Sequence, residues 1–238
     1  MGRRRGYAWL AAWAVLSCMP APARADEVGA ASGGVPTLDR QRQRKLYLEV
    51  IDGLRREGRP YAALAHLDAF DAMFPGDAAA QILRADCLVA VGDLAAAEGV
   101  YRGQLAGGLA DQAEAGLGRI QARRGRWDAA VAAFERAVKR RPAQAAYLND
   151  LGFALVMAGR AEEGVFRLRQ AAELVPGDAK VRNNLIVALM RSDRADEAGR
   201  LLAAVTDPGE RDEVQAILAS YAPAPGPGAE GDAEGDSE

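Results

Sequence analysis

The sequence predicts an all-α solenoid of about five helical hairpins followed by a capping helix. Half of the 238 residues are hydrophobic and only 6% are aromatic. Residues that favour helices, such as Ala, Leu, Glu and Arg, are far more frequent than the alternating β-branched residues of strands. A turn residue recurs every 33 or 34 positions, at Gly58, Gly92, Gly125, Gly159 and Asp193. Such a fixed period indicates one structural unit repeated along the chain.

Each copy carries the residues that a helical hairpin needs. The glycine provides the left-handed conformation that ends a first helix, and a proline seventeen residues later ends the second helix in three copies, at Pro75, Pro142 and Pro176. A small residue follows the turn residue by five positions, at Ala63, Ala97, Ala130, Gly164 and Ala198. A large apolar residue comes four positions later, at Leu67, Tyr101, Phe134, Leu168 and Leu202. We expect the small residues to allow close helix contact and the large ones to fill the space between repeats.

Residues 44–210 resemble the tetratricopeptide repeat, whose period is 34 residues. Copy three carries the signature at Leu117-Gly118, Gly125, Trp127, Ala130, Phe134, Ala137 and Pro142, and copy four at Leu151-Gly152, Gly159, Ala171 and Pro176. The resemblance implies an α-solenoid wound as a right-handed superhelix, with the first helices of the hairpins lining a concave groove.

The first 25 residues have the composition of a secretory signal peptide. Three arginines, Arg3–Arg5, precede an apolar run over residues 7–18, and Ala23-Arg24-Ala25 forms a small-x-small cleavage site before Asp26. A second processing site is possible, because Val15-Leu16-Ser17-Cys18 resembles a bacterial lipobox and would make Cys18 an acylated first residue. Both alternatives predict export. The first gives a periplasmic protein, and the second gives an outer-membrane lipoprotein that faces the periplasm and meets the membrane only through Cys18.

The rest of the chain divides by composition. Residues 26–40 are small and polar and predict a flexible linker, and residues 41–221 form the predicted array, with its final helix over 211–221. Residues 222–238 are rich in Pro and Gly and then acidic, which predicts a disordered tail.

The sequence has no motif for catalysis or for a cofactor. The two cysteines, Cys18 and Cys87, and the single histidine, His66, lack the spacing of a metal site, and no nucleophile–base or phosphate-binding motif occurs. The net charge of −3 becomes −7 without the four arginines of the first 25 residues, and this acidic balance disfavours a nucleic-acid surface. We therefore expect a non-catalytic protein, without cofactor or metal, that binds a protein or peptide.

The tetratricopeptide pattern also indicates which side chains face the groove. Copy three contributes Gln112, Ala115, Arg119 and Ala122, copy four Ala146, Asn149, Phe153 and Val156, and copy five Lys180, Asn183, Val187 and Met190. Seven of these are the predicted partner-binding residues: Arg119, Asn149, Phe153, Val156, Asn183, Val187 and Met190. We expect Asn149 and Asn183, one repeat apart, to pair with the backbone of an extended peptide. Phe153, Val156, Val187 and Met190 would then offer apolar pockets, unless Phe153 and Val187 pack against an adjacent helix or a terminal segment.

An exported array of this length is similar to the TadD-like accessory proteins of Flp pilus (tight adherence) assembly. The similarity lies in the stretches YAALAHLDAFDAMFPGDAAAQILRADCL, LNDLGFALVMAGR and VRNNLIVALM. It implies a scaffold for assembly of an outer-membrane secretin or of the pilus machinery. Two other functions fit the same features: a periplasmic adaptor for cell-wall or outer-membrane assembly enzymes, and a protein like the type IV pilus pilotins.

Overall fold

The computed structural model describes residues 39–221 and is helical throughout this range, without strands. The predicted signal peptide, Cys18, most of the linker and the acidic tail lie outside the described residues. The helices are α1 (Arg40–Arg56), α2 (Pro60–Met73), α3 (Ala78–Val91), α4 (Leu94–Gly103), α5 (Ala110–Arg123), α6 (Trp127–Arg140), α7 (Ala145–Met157), α8 (Ala161–Leu174), α9 (Ala179–Met190), α10 (Ala195–Ala203) and α11 (Pro208–Tyr221). The first ten form five hairpins, one per copy, and α11 follows them. The predicted all-α solenoid is confirmed.

The turn inside each hairpin is formed by the residue that recurs in the sequence. Gly58, Gly92, Gly125 and Gly159 have φ between 70° and 91°, and Asp193 takes the same left-handed region with φ of 56°. After α5, the backbone N–H of Gly125 donates a hydrogen bond to the carbonyl of Ala122, at 3.0 Å. The N–H of Arg126 donates to the carbonyl of Gln121, also at 3.0 Å. This pattern satisfies carbonyls that a helix end would otherwise leave unpaired.

The prolines end the second helices as predicted. The last helical hydrogen bond of α2 runs from the Phe74 N–H to the Phe70 carbonyl, at 2.8 Å, and Pro75 follows directly. Copy two has Leu109 at the proline position, and its second helix, α4, ends at Gly103, six residues earlier.

The two helices of a hairpin touch where their side chains are smallest. A Cβ atom on Gly152 of α7 would lie 2.6 Å from Cγ of Leu168 and 3.0 Å from the carbonyl oxygen of Gly164, both on α8. A Cβ atom on Gly164 would lie 2.7 Å from the Gly152 carbonyl oxygen. The backbones of α7 and α8 are therefore in direct contact, and no larger residue fits between them.

The hairpins stack in chain order and curve toward their first helices. The first helices of neighbouring copies contact each other, in the pairs α1–α3, α3–α5, α5–α7 and α7–α9. In copies one to four, each second helix packs between the first helix of its own copy and that of the next. Because the first helices approach one another, they line the inner, concave face of the stack.

The core is a series of clusters that each join neighbouring copies. One cluster contains Ala130, Phe134 and Leu151, from copies three and four, and another contains Leu168, Leu185 and Val214. Val214 of α11 is fully buried, so the last helix covers the end of copy five. This position makes α11 a capping helix, as predicted.

Ala130 provides a direct test of the packing in copy three. Its side chain is fully buried, so we expect Ala130→Leu to overfill the cluster and to lower the free energy of unfolding by about 1–3 kcal/mol. Urea unfolding followed by circular dichroism measures the change. The exposed Ala129 on the same helix provides the control, since Ala129→Leu adds the same atoms without crowding the core. Equal stability of both variants would contradict the assigned contact.

Candidate functional site

One opening on the concave face lies at copies one to three. It is a cavity of about 460 Å³ with an apolar floor and a charged rim. The floor includes Leu48, Ile82, Leu83 and Leu109, and the rim includes Arg44, Lys45, Glu49, Asp52, Arg55, Asp86 and Gln112. The site therefore combines apolar surface with charges of both signs.

Ion pairs hold the charged rim in place on the α1 side. The Asp52 carboxylate accepts hydrogen bonds from Arg55 and Arg56, at 2.6 Å to the nearest Arg55 nitrogen. Arg44 pairs with Asp77, which also caps α3 by accepting the N–H groups of Ala79 and Ala80. Burial raises the pKa of the Asp77 carboxyl, but the Arg44 guanidinium and the two N–H groups outweigh burial and hold that pKa below its usual range. The cap and the ion pair thus join the first helices of copies one and two.

Asp86, on the α3 side, is held by two hydrogen-bond donors. Its carboxylate accepts hydrogen bonds from the hydroxyl of Tyr101 and from the guanidinium of Arg119, the latter at 2.9 Å. The Tyr101 ring lies directly against α5 at Gly116, where any side chain would collide with it. Three neighbouring helices, α3, α4 and α5, therefore fix one carboxylate.

An ionic row continues from Asp86 along the groove to copy five. We use this term for Asp86, Arg119, Asp150 and Lys180, which alternate in charge and lie on α3, α5, α7 and α9. Arg119 is 4.0 Å from Asp150, and Lys180 is 3.4 Å from Asp150. The predicted groove residue Arg119 thus bridges two copies and has a structural partner on each side.

The prediction that Asn149 and Asn183 together face the groove is wrong for Asn149. Asn149 is buried, and its side-chain oxygen accepts a hydrogen bond from Asn184 at 2.8 Å, while its amide donates to Asp150 at 3.2 Å. The partner of Asn149 is thus Asn184 and not its chain neighbour Asn183, which was expected beside Asn149. The side-chain oxygen of Asn183 is buried and has no hydrogen bond. Asn149 therefore joins α7 to α9 inside the protein and is not available to the backbone of a peptide.

Two of the residues that were expected to form apolar pockets are instead buried in the core. Val156 and Val187 are 2% and 1% exposed and belong to the same buried cluster, so the prediction that they line an open groove is wrong. Val187 lies in one buried cluster with Leu168 of α8 and Ala198 of α10. Phe153 is half-buried with its ring edge-on to Trp127, at 6.2 Å between centroids, and Met190 is exposed. Copies four and five consequently present less apolar groove surface than predicted.

The cavity was missed from the sequence because the groove positions were assigned only in copies three to five. The same positions counted back from the turn residues of copies one and two are Lys45, Leu48, Asp52, Arg55, Ala79, Ile82, Asp86 and Val89. All of these except Val89 line the cavity. The repeat period therefore places these residues on the inner side of the array, but it does not show which of them line an open cavity.

We expect the stability of the folded protein to fall at alkaline pH. Burial, and then the nearby carboxylates Asp86 and Asp111, raise the pKa of the Tyr101 and Tyr147 hydroxyls above the usual value of about 10. The folded state thus holds these protons more tightly, so their stabilisation is complete below about pH 10 and is lost as the pH rises further. We expect the free energy of unfolding to fall by up to about 1.4 kcal/mol per pH unit for each tyrosine.

Urea titrations from about pH 8 to about pH 11 measure this slope. Tyr101→Phe and Tyr147→Phe should each make it shallower. Cys87, whose pKa burial raises to about 11, contributes in the same direction and is common to all variants. An unchanged slope in both phenylalanine variants would contradict the assignment.

The architecture defines a helical repeat protein that presents a concave binding surface. Two models of the tetratricopeptide repeat match the sequence, one over residues 51–110 and 116–166 and the other over residues 155–221. Together they cover most of the described residues. The chain belongs to the tetratricopeptide repeat family, whose arrays act as scaffolds for protein–protein interaction.

Individual relatives share this family and fold. The TPR repeat-containing protein PA4299 of Pseudomonas aeruginosa is 34% identical over 117 residues, which are 49% of this chain and 46% of that protein. The chain therefore matches about half of the length of this relative. Among solved structures, the thermophilic TPR protein TTC0263 of Thermus thermophilus superposes with a TM-score of 0.60 at 20% identity, covering 74% of this chain and 99% of that one. MamA (41-end) from Desulfovibrio magneticus RS-1 does so with 0.53 at 22% identity, covering 75% and 97%. These two likenesses show the fold alone.

Among residues 39–221, no helix is both long and apolar enough to cross a lipid bilayer. In the same range, no three His, Cys, Asp or Glu side chains converge as the ligands of a metal ion would.

Proposed function

We propose that this protein is an exported, non-catalytic scaffold that binds a protein partner in its concave groove during assembly of a cell-envelope machine. The observation that carries the proposal is the cavity of about 460 Å³ formed by the first helices of copies one to three. It is a concave surface with an apolar floor and a charged rim, built on helices, and helical repeat arrays bind partners on such concave surfaces.

The chemistry of the cavity defines the partner segment. Leu48, Leu83 and Leu109 are half-buried and can cover one or two apolar side chains. Lys45 is exposed and pairs only loosely with Glu49, at 3.8 Å, so it is free to meet an acidic group of the partner. The expected ligand is an extended segment with a bulky apolar residue next to an acidic one.

The Flp pilus (tight adherence) system is the machine we propose, and its secretin or another assembly component is the proposed partner. The support is the resemblance of the repeat stretches to TadD-like accessory proteins, together with a leader of the secretory type over residues 1–25. The alternative is a periplasmic adaptor for cell-wall or outer-membrane assembly enzymes, or a pilotin-like protein, because a groove of this kind also suits those partners.

Site-specific photo-crosslinking in the native bacterium tests the proposal. A photoreactive amino acid at Lys45 reports on the cavity, and the same group at Glu135 on α6, an exposed residue of a second helix, is the matched control. We expect a crosslink from position 45 only, to a secretin or another pilus component identified by mass spectrometry. A crosslink to a cell-wall enzyme would favour the alternative. Equal capture from both positions would contradict groove binding.

The mature N-terminus decides between the two forms of export. We propose cleavage before Asp26, which gives a soluble periplasmic protein, and Cys18 acylation is the alternative, which gives an outer-membrane lipoprotein. The intact mass of the protein isolated from the envelope distinguishes them. An unmodified chain that begins at Asp26 supports the proposal, and a diacylated or triacylated chain that begins at Cys18 contradicts it.

A further inference from the structure

The first copy leaves uncovered three positions that the later copies bury, except for the half-buried Arg84 of copy two. Counted back from the turn residue, the positions twelve, eight and five residues earlier are Leu46, Val50 and Gly53 in copy one. Leu46 is 43% exposed and Val50 is 55% exposed. A Cβ atom on Gly53 would meet nothing within 4 Å. We call this surface the α1 face.

In copies two to five the same positions contact the preceding hairpin. The equivalents of Leu46 are Ala80, Ala113, Tyr147 and Val181, and those of Gly53 are Cys87, Ile120, Ala154 and Ala188, and all eight are buried. The equivalents of Val50 are Arg84, which pairs with Asp68 and Asp71 of α2, and the buried Leu117, Leu151 and Leu185. Because the repeat uses these positions to receive a helix, the α1 face has the shape and polarity of an unfilled stacking surface.

Within the described residues, the other end of the array is covered by a helix. The capping helix α11 covers copy five and buries Val214 completely. A head-to-tail stack of two chains, in which the last hairpin of one covers α1 of the next, is therefore blocked. A symmetric contact between two α1 faces remains open to two copies of the chain.

The charges on α1 favour that contact. Arg42 and Glu57 are exposed and lie on the same side of the helix as Leu46, Val50 and Gly53, at helical spacing. With the twofold axis placed between Glu49 and Val50, an antiparallel pair of α1 helices sets Arg42 opposite Glu57 of the second copy and Leu46 opposite the open space at Gly53 of the second copy. Glu57 also faces Arg59 of its own chain at 3.6 Å, but that pair is exposed and contributes little. The α1 face is thus complementary to itself in both shape and charge.

We propose that the α1 face is the interface of a symmetric homodimer in which two α1 helices pack antiparallel. The contact extends the inter-repeat packing across a twofold axis and leaves the two concave grooves free for partners. The apolar part of each face is small, so we expect a reversible dimer, with a dissociation constant on the order of 10 µM.

Sedimentation velocity and light scattering of the purified full chain test the proposal over a range of concentrations. We expect Val50→Asp to weaken the dimer at least about tenfold. Phe166→Asp provides the matched control, since Phe166 is exposed to a similar degree on α8 and should not affect the mass. Unchanged thermal unfolding of both variants shows that the fold is intact.

A charge exchange tests the antiparallel arrangement itself. Arg42→Glu and Glu57→Arg should each weaken the dimer several-fold, because each places like charges opposite one another, and the double variant should restore it. A loss of packing inside one chain would not be restored in this way. A protein that stays monomeric up to about 1 mM, a dimer that survives Val50→Asp, or a double variant without restored dimer would overturn the proposal.

Discussion

Leu168→Ala is expected to lower the free energy of unfolding by about 2–5 kcal/mol. Leu168 is fully buried and belongs to the cluster that joins copies four and five. Its Cγ atom lies where a side chain on Gly152 would point, so the leucine fills the space that the glycine leaves. Removing it opens a cavity at the closest contact between α7 and α8, and the backbones, already in contact, cannot move together to close it.

The partner variant Gly152→Ala makes this prediction specific. Alone it should also destabilise the protein, because the added methyl group collides with Leu168. In the double variant the methyl group occupies part of the cavity, so the combined loss should be clearly smaller than the sum of the two single losses. Urea unfolding of the four proteins gives the coupling. Strictly additive losses would show that the two residues do not share one space.

Gly164→Ala and Gly99→Ala should change stability in opposite directions. A Cβ atom on Gly164 would lie 2.7 Å from the Gly152 carbonyl oxygen and 2.6 Å from Cγ2 of Val156, and a backbone atom cannot rotate away. We expect a loss of about 3 kcal/mol, at the upper end for overpacking. Gly99 is also inside a helix, α4, but has open space around it. There alanine should add about 0.5–1 kcal/mol, because it favours the helix and restricts the unfolded chain.

Thermal melts of the two glycine variants separate close packing from helix propensity. Both changes add the same methyl group to a helix interior, so only the surroundings differ. A Gly164→Ala variant that melts at or above the temperature of the parent would be inconsistent with the contact between the α7 and α8 backbones.

The fold was predictable from the sequence because its main determinants are local and periodic. A positive φ at Gly125 and a helix end before Pro142 each depend on one residue type, and both recur at a fixed distance. The predicted pairing of helices followed from that distance alone. Asp193 shows the limit of residue identity, since it takes the left-handed turn conformation without being glycine, and only its phase revealed the turn.

The candidate site was predicted less well, because the position of a residue within the repeat does not determine whether its side chain is accessible. Their positions relative to the turn residue place Val156, Val187 and Asp86 on the inner side of their first helices. Whether such a side chain is open or buried depends on how closely the next copy packs, which three-dimensional neighbours decide. Copies four and five are tightly joined through Asn149 and Asn184, whereas copies one to three leave a cavity.

The main contacts between the described helices join neighbouring copies, and this has a mechanical consequence. A globular domain under tension holds until many distant contacts break together. In this array a pulling force applied along the stack acts on one interface at a time, because each hairpin is held only by its own helices and those beside it. The protein should therefore extend in small steps, each about the length of one hairpin, and shorten again by the same steps when the load is removed.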